Sequence, residues 1–326
     1  MARFPIAVIP KLPPVRGLAI FACELLVIGA IYFALKKLDL ALAAIHPGSV
    51  PVAPASGFAL AATLLRGLHV WPAILIAALV AHAPGSFAQM SMADWILLVA
   101  TAAGETLEAI VGGYLINAWS GGHGTFETPA RAARFTAVSL GPSAMLGATI
   151  TAGVTYLVGA MAPAWSDFID QWLTQWLRDG SGMLVVTPLL VLWAVGDLPA
   201  ADRDTAPSKK WMSAIALLAT GILGFLVFSP LLEFGLNRGA LSILAIAPLA
   251  WAALRCSQRD SALCALVLSA FAAWGAWPEN GPLGQTPEEA FLVATVLIIS
   301  ASALALMSGR PTNEVQVTVW RSGSCG

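Results

Sequence analysis

The chain has 326 residues, 58% hydrophobic and 11% charged, with a formal net charge of −1 and a mean hydropathy of +0.79. An ordinary soluble domain is about 25% charged, so the composition excludes a disordered chain, a nucleic-acid binder and a conventional water-soluble enzyme. The expected solvent for most of its surface is lipid.

In chain order, apolar runs fall at 18–38, 52–66, 70–83, 94–118, 134–162, 170–194, 211–229, 239–254, 260–277 and 288–308. A helix needs about 20 apolar residues to cross the hydrocarbon core. The second and third runs, joined through Arg66 and His69, are short for this and either cross untilted or form a re-entrant hairpin. The fold expected is all-α, a polytopic transmembrane helical bundle of ten spans, or eight if the hairpin is re-entrant. With the N-terminus inside, thirteen basic residues lie on the cytoplasmic side: Arg3, Lys11, Arg16, Arg66, Arg131, Arg134, Arg203, Lys209, Lys210, Arg255, Arg259, Arg310 and Arg321. Lys36, Lys37 and Arg238 fall outside, and the excess predicts that both termini are cytoplasmic. This divides the chain into a cytoplasmic segment 1–17, a membrane domain 18–308 and a tail 309–326. The tail is too short to bury a core, so no fused kinase or cyclase is expected. The polar stretch 196–210 reads as a joint between a six-span front and a four-span back.

The first run holds Glu24 and is followed by Lys36 and Lys37, which favours an uncleaved helix over a signal peptide. Trp71, Trp95, Trp119, Trp172, Trp193, Trp211 and Trp277 sit near span ends, where indole rings anchor at the headgroups. Cys23, Cys256, Cys264 and Cys325 form no paired pattern and read as reduced packing residues. His46, His69, His82 and His123 lack metal-ligand spacing. With no phosphate loop or nucleophile elbow either, no catalytic residue, metal or cofactor is expected.

Glu24, Glu105, Glu108, Arg178 and Asp179 lie inside apolar runs, where an ionised side chain costs about 2.5–3.5 kcal/mol at mid-bilayer. Such groups must face the bundle interior. Glu105 and Glu108, three apart, share a helix face, flanked by Gly104, Gly112 and Gly113, which let a neighbour approach. At 1.5 Å per residue, Glu105 lies about 16 Å and Arg178 about 12 Å below the outer ends of their spans, so an ion pair between them is expected. Pro54, Ser56 and Gly57 open the second span and either contact a ligand or start a helix with a Ser cap. Thr187 and Pro188 predict a kink near the inner end of the sixth span.

Three strings carry a resemblance: P-A-S-G-F-A-L-A-A followed by G-L-H-V-W-P, then G-E-T-L-E-A-I-V-G-G-Y-L, then W-L-T-Q-W-L-R-D-G-S-G-M-L-V-V-T-P-L-L. Together they resemble the membrane-associated sensor 1 family, the integral membrane sensory domain of bacterial histidine kinases and diguanylate cyclases, over about residues 18–308. The resemblance places Pro54, Ser56, Gly57, Gly104, Glu108, Trp176, Asp179, Gly182, Thr187 and Pro188 on characteristic positions. It departs at Glu105, where the family usually has Asn, and at Arg178, where it has a small residue. Two opposite charges at departing positions reinforce the expected ion pair and leave Glu108 and Asp179 as the better site candidates, with Ser56, Trp176 and Pro54 beside them.

The resemblance implies a sensory module of the bacterial inner membrane that binds a small molecule or membrane partner and signals by helix rearrangement. No output domain follows, so the expected recipient is a separate histidine kinase or diguanylate cyclase, with homodimerisation left open. The alternative is a transporter or solute-binding membrane component, since Pro/Gly-interrupted spans and intramembrane carboxylates also suit substrate passage. A third is a structural assembly partner.

Overall fold

A computed structural model describes residues 15–45, 50–85, 87–162, 164–195, 207–229, 244–276, 283 and 286–307. Arg3, Lys11, His46, Arg203, Arg238, Trp277, Arg310, Arg321 and Cys325 lie outside the described residues, as do the tail and most of the joint at 196–210. The side chains of Arg16, Lys209 and Lys210 are likewise outside them.

Among the described residues every regular element is helical. The long first run forms α1 (Val15–Ile45), followed by the short α2 (Pro54–Arg66) and α3 (Trp71–His82) and by α4 (Met92–Trp119). Next come α5 (Pro129–Val138), α6 (Ala144–Leu157), α7 (Trp165–Val195) and α8 (Pro207–Phe228). The chain closes with α9 (Ala247–Arg255), α10 (Gln258–Ala276) and α11 (Pro287–Met307). Side chains mark several starts: Ser91 and Asp94 form a reciprocal capping box on α4, and Pro stands in the first turn of α2, α3, α5 and α9, where its missing N–H costs nothing. Pro142 and a non-helical Gly141 interrupt the chain between α5 and α6, in a π-helical turn at Ser139–Ser143.

Among the described residues, six helices are long and apolar enough to cross a membrane: Ala19–Ile45, Met92–Trp119, Pro129–Leu157, Trp165–Val195, Trp211–Phe228 and Glu288–Leu306. Helix α2 has 13 residues and α3 has 12; at 1.5 Å each they are about 20 and 18 Å long, against a hydrocarbon core of about 30 Å. Residues 50–53 enter α2 as non-helical backbone. The second and third runs are therefore shorter as helices than as apolar strings. Outward-facing Trp71, Trp95, Trp119, Trp193 and Trp211 stay exposed near helix ends, as anchoring rings do. Free thiols remain at Cys23, Cys256 and Cys264.

Two assemblies of helices share α7. Helices α1 to α6 pack on one side, with α2 running along α7 and α6 along α4. On the other side α10 packs against α8, α11 and α7, around buried Phe228, Leu249, Leu268 and Ile298. Several basic residues are tied to acceptors near helix ends. Arg66 binds Glu24, Arg131 donates to Glu127 at 2.5 Å, Arg134 donates to Trp119 O at 3.1 Å and Arg259 donates to Leu192 O at 2.8 Å.

Candidate functional site

The first and third strings of the sequence meet along α2 and α7. Ala53 N donates to Arg178 O at 3.1 Å, the Ser181 hydroxyl binds Pro51 O, and Thr187 Oγ1 donates to Gly57 O at 2.8 Å. Each polar bond satisfies backbone that is not helical or a carbonyl facing another helix, as buried backbone requires. The approach depends on glycine: a Cβ on Gly57 would lie 2.2 Å from Gly182 O, and one on Gly182 would lie 2.0 Å from Ala53 O. Ser56 Oγ donates to Ala53 O at 2.8 Å and lies 3.2 Å from Asp179 O, so its hydroxyl ties the start of α2 to α7. Pro54 occupies the first turn of α2.

Glu105 is held from two helices. Lys36 Nζ lies 2.6 Å from its Oε1, His82 Nε2 lies 2.9 Å from the same oxygen, and Tyr32 OH donates to Oε2 at 2.8 Å. The expected Arg178 to Glu105 pair is corrected: the partner is Lys36. Arg178 makes no ion pair among the described residues, and its Nε is buried without a hydrogen-bond partner. Geometry explains the exchange, because three residues on a helix turn about 300°, so Glu105 and Glu108 diverge by about 60°. Glu105 looks toward α1 and α3. Glu108 looks toward α6, where a Cβ on Gly147 would lie 2.0 Å from its Oε2.

Lys36 also overturns an expectation: it is 6% exposed, inside a helix that runs on to Ile45, and not in an outer loop. Lys37 donates to Ala81 O at 2.7 Å. Glu24 pairs with Arg66.

Glu108 is 2% exposed; its Oε1 has no hydrogen-bond partner, while Ser143 Oγ binds its backbone carbonyl at 2.9 Å. Asp179 is 3% exposed and accepts from Gln175 Nε2 at 2.5 Å. Glu108 and Asp179 both lie within electrostatic reach of Lys36. Trp176 stacks on Trp172, with ring centroids 5.5 Å apart, and donates its indole N–H to Leu140 O in the π-helical turn at 2.5 Å.

Four participants escaped the sequence reading: Tyr32, Asp39, His82 and Gln175. Asp39 is fully buried; its Oδ2 accepts from Ala55 N at 3.3 Å, at the positive end of α2 where a carboxylate is favoured, and its Oδ1 has no partner. The signal was available, since Tyr32, Lys36 and Asp39 stand at i, i+4 and i+7 and so line one helix face. It was hidden because Lys36 and Lys37 looked like the end of a span.

Among the described residues no three metal-ligating side chains gather as an ion would require. No curated protein and no solved structure matches the chain. A family model matches residues 23–320, so the chain belongs to the MASE1 family, the membrane-associated sensor 1 domain of histidine kinases and diguanylate cyclases.

Proposed function

We propose that this multi-pass membrane protein, a sensory domain not itself catalytic, senses a small molecule at a polar site where α2, α4, α6 and α7 meet, in a bacterial inner membrane. Glu108 and Asp179 are the binding carboxyls, Ser56, Trp176 and Pro54 stand beside them, and both chain termini lie in the cytoplasm. Binding shifts the packing of α2, α4 and α7, and the shift is read by a separate histidine kinase or diguanylate cyclase, with the protein acting alone or as a homodimer.

The observation that carries this reading is Glu108: a fully buried carboxyl with an unpartnered oxygen, one turn from a fully partnered one. Buried polar atoms are ordinarily satisfied, so an orphan beside a second acid marks a place reserved for something else. The excess of basic residues in the segments read as inner, Arg66, Arg131, Arg134 and Arg259 among them, supports the orientation.

Glu108→Gln is expected to keep the fold, since the amide preserves the shape, and to change the output of the co-purifying kinase or cyclase; unchanged output overturns the assignment. A periplasm-only reporter active at Gly326 overturns the orientation. A second reading, transport, draws on the short α2 and α3, because discontinuous helices frame midplane sites in transporters. Solute flux in proteoliposomes selects it, whereas binding without flux selects the sensor.

A further inference from the structure

Helix α2 begins partway along α7, and its contacts on both sides fix how. Against α7, Ala53 N donates to Arg178 O at 3.1 Å and Thr187 Oγ1 donates to Gly57 O at 2.8 Å, so the two helices run parallel. Against α1, Ala55 N donates to Asp39 Oδ2 at 3.3 Å and Arg66 binds Glu24, so α2 runs antiparallel to α1. Arg178 lies about 20 Å along the axis from Trp165, where α7 begins. Burial records the same step: no residue of α7 from 165 to 178 is buried, and every residue from 179 to 185 is. The first part of α7 is thus an uncovered approach that ends at the start of α2.

Two charged groups flank that end point. Helix side chains lean toward the N-terminus of their own helix, so Arg178 leans toward the Trp165 end, past the start of α2. Asp39, on the antiparallel α1, leans onto the start of α2 from that same end. The two alanines that join them to α2 are two residues apart, at most about 7 Å. Each group lacks a partner, in opposite senses. Arg178 makes no side-chain hydrogen bond or ion pair among the described residues, and its Nε is buried without an acceptor. Asp39 is 0% exposed and its Oδ1 has no donor, while the neighbouring Lys36 is bound to Glu105.

These groups select a ligand by its charges. A bare anion would face the Asp39 carboxylate, and a bare cation would face Arg178 and the positive end of α2. A molecule with a carboxylate and an ammonium on neighbouring atoms satisfies both with charge-assisted hydrogen bonds. A phosphatidylethanolamine headgroup carries the same pair of charges, but the site lies well below a headgroup layer of about 5–8 Å.

We propose that the start of α2 binds a free zwitterion of the α-amino-acid class, with its carboxylate on Arg178 and its ammonium on Asp39. This rests on the sensory reading above, names the class of its small molecule and adds Asp39 and Arg178 beside Ser56 and Pro54. Contact with the sealed Asp39 Oδ1 displaces the non-helical entry at 50–53, and α2 with it, which is the helix shift that sensing needs.

The test uses the full chain in nanodiscs of phosphatidylglycerol and phosphatidylcholine, which offer no primary ammonium. The probes are glycine and L-alanine, with propionate and ethylamine as the two halves of alanine, read by thermal unfolding and calorimetry. Glycine or L-alanine should raise Tm by at least about 2 °C at saturation, and each half should bind at least about tenfold more weakly than alanine. Arg178→Gln should weaken L-alanine and propionate by at least about tenfold and leave ethylamine unchanged. Asp39→Asn, which keeps an acceptor for Ala55 N, should weaken L-alanine and ethylamine and leave propionate unchanged. Glu127→Gln, in the exposed pair with Arg131, should bind as wild type. No binding of either amino acid, or equal losses for both halves in each variant, overturns the proposal, as does stabilisation by added phosphatidylethanolamine alone. Should Asp39→Asn fail to fold, the pattern in Arg178→Gln decides. A changed partner output in Glu108→Gln without amino-acid binding removes this ligand class and leaves the sensory site standing. Uptake of labelled alanine into proteoliposomes keeps the binding site and overturns the sensory reading instead.

Discussion

One turn of α4 carries two carboxyls in opposite circumstances. Glu105 receives a lysine, a histidine and a tyrosine from α1 and α3, whereas Glu108 receives no side-chain donor at Oε1 and lies against Gly147 of α6. Burial is similar, so environment polarity and not depth separates them. The lesson is that an intramembrane carboxylate is structural when its partners are built in and available for function when they are not.

The largest effect should come from breaking the satisfied side. Lys36→Met strands the Glu105 charge and is expected to cost about 3–5 kcal/mol, while Lys36→Met with Glu105→Gln should cost much less. A double-mutant cycle by thermal unfolding in detergent measures the coupling; additive losses would mean that the pair contributes nothing specific. Gly182→Ala comes next, since its Cβ would meet the Ala53 carbonyl at 2.0 Å, and overpacking of this kind costs about 1–3 kcal/mol. The same unfolding assay reads it, and a wild-type Tm would show that the α2–α7 seam is loose.

Tyr32→Phe removes one hydrogen bond to a charged carboxylate, worth about 1.5–3 kcal/mol, and leaves the lysine in place; chemical denaturation against wild type checks it. On the starved side, Glu108→Gln should change stability at neutral pH by less than about 1 kcal/mol, because no partner group loses a bond. A loss as large as that of Lys36→Met would move Glu108 into the structural class. The smallest effect is expected for Arg131→Gln, whose pair with Glu127 is 41% and 39% exposed and contributes at most about 0.5 kcal/mol.

Much of the molecule was legible in its residues. Low charge and long apolar runs specify lipid as solvent, and lipid permits only structures that satisfy their own backbone, which for these runs means helices. The strings around Ser56, Glu108 and Asp179 were enough to place the chain in its family. Lys36 was misplaced and Asp39 passed over because a charge in a sequence marks the end of an apolar run whether or not the helix ends there. Helix α1 continues past both to Ile45.

What only the tertiary structure decided is which charge meets which. Depth arithmetic allowed Arg178 to reach Glu105, yet depth is one coordinate of three; the direction a side chain takes around its helix, and the identity of the helix standing there, follow from packing. The glycines at 57 and 182 bring α2 onto α7, α1 and α3 occupy the space facing Glu105, and Glu108 is turned toward α6. Sequence determined that these charges must be buried together, because hydrocarbon leaves them no other place, and the close approach of small residues decided how they are shared.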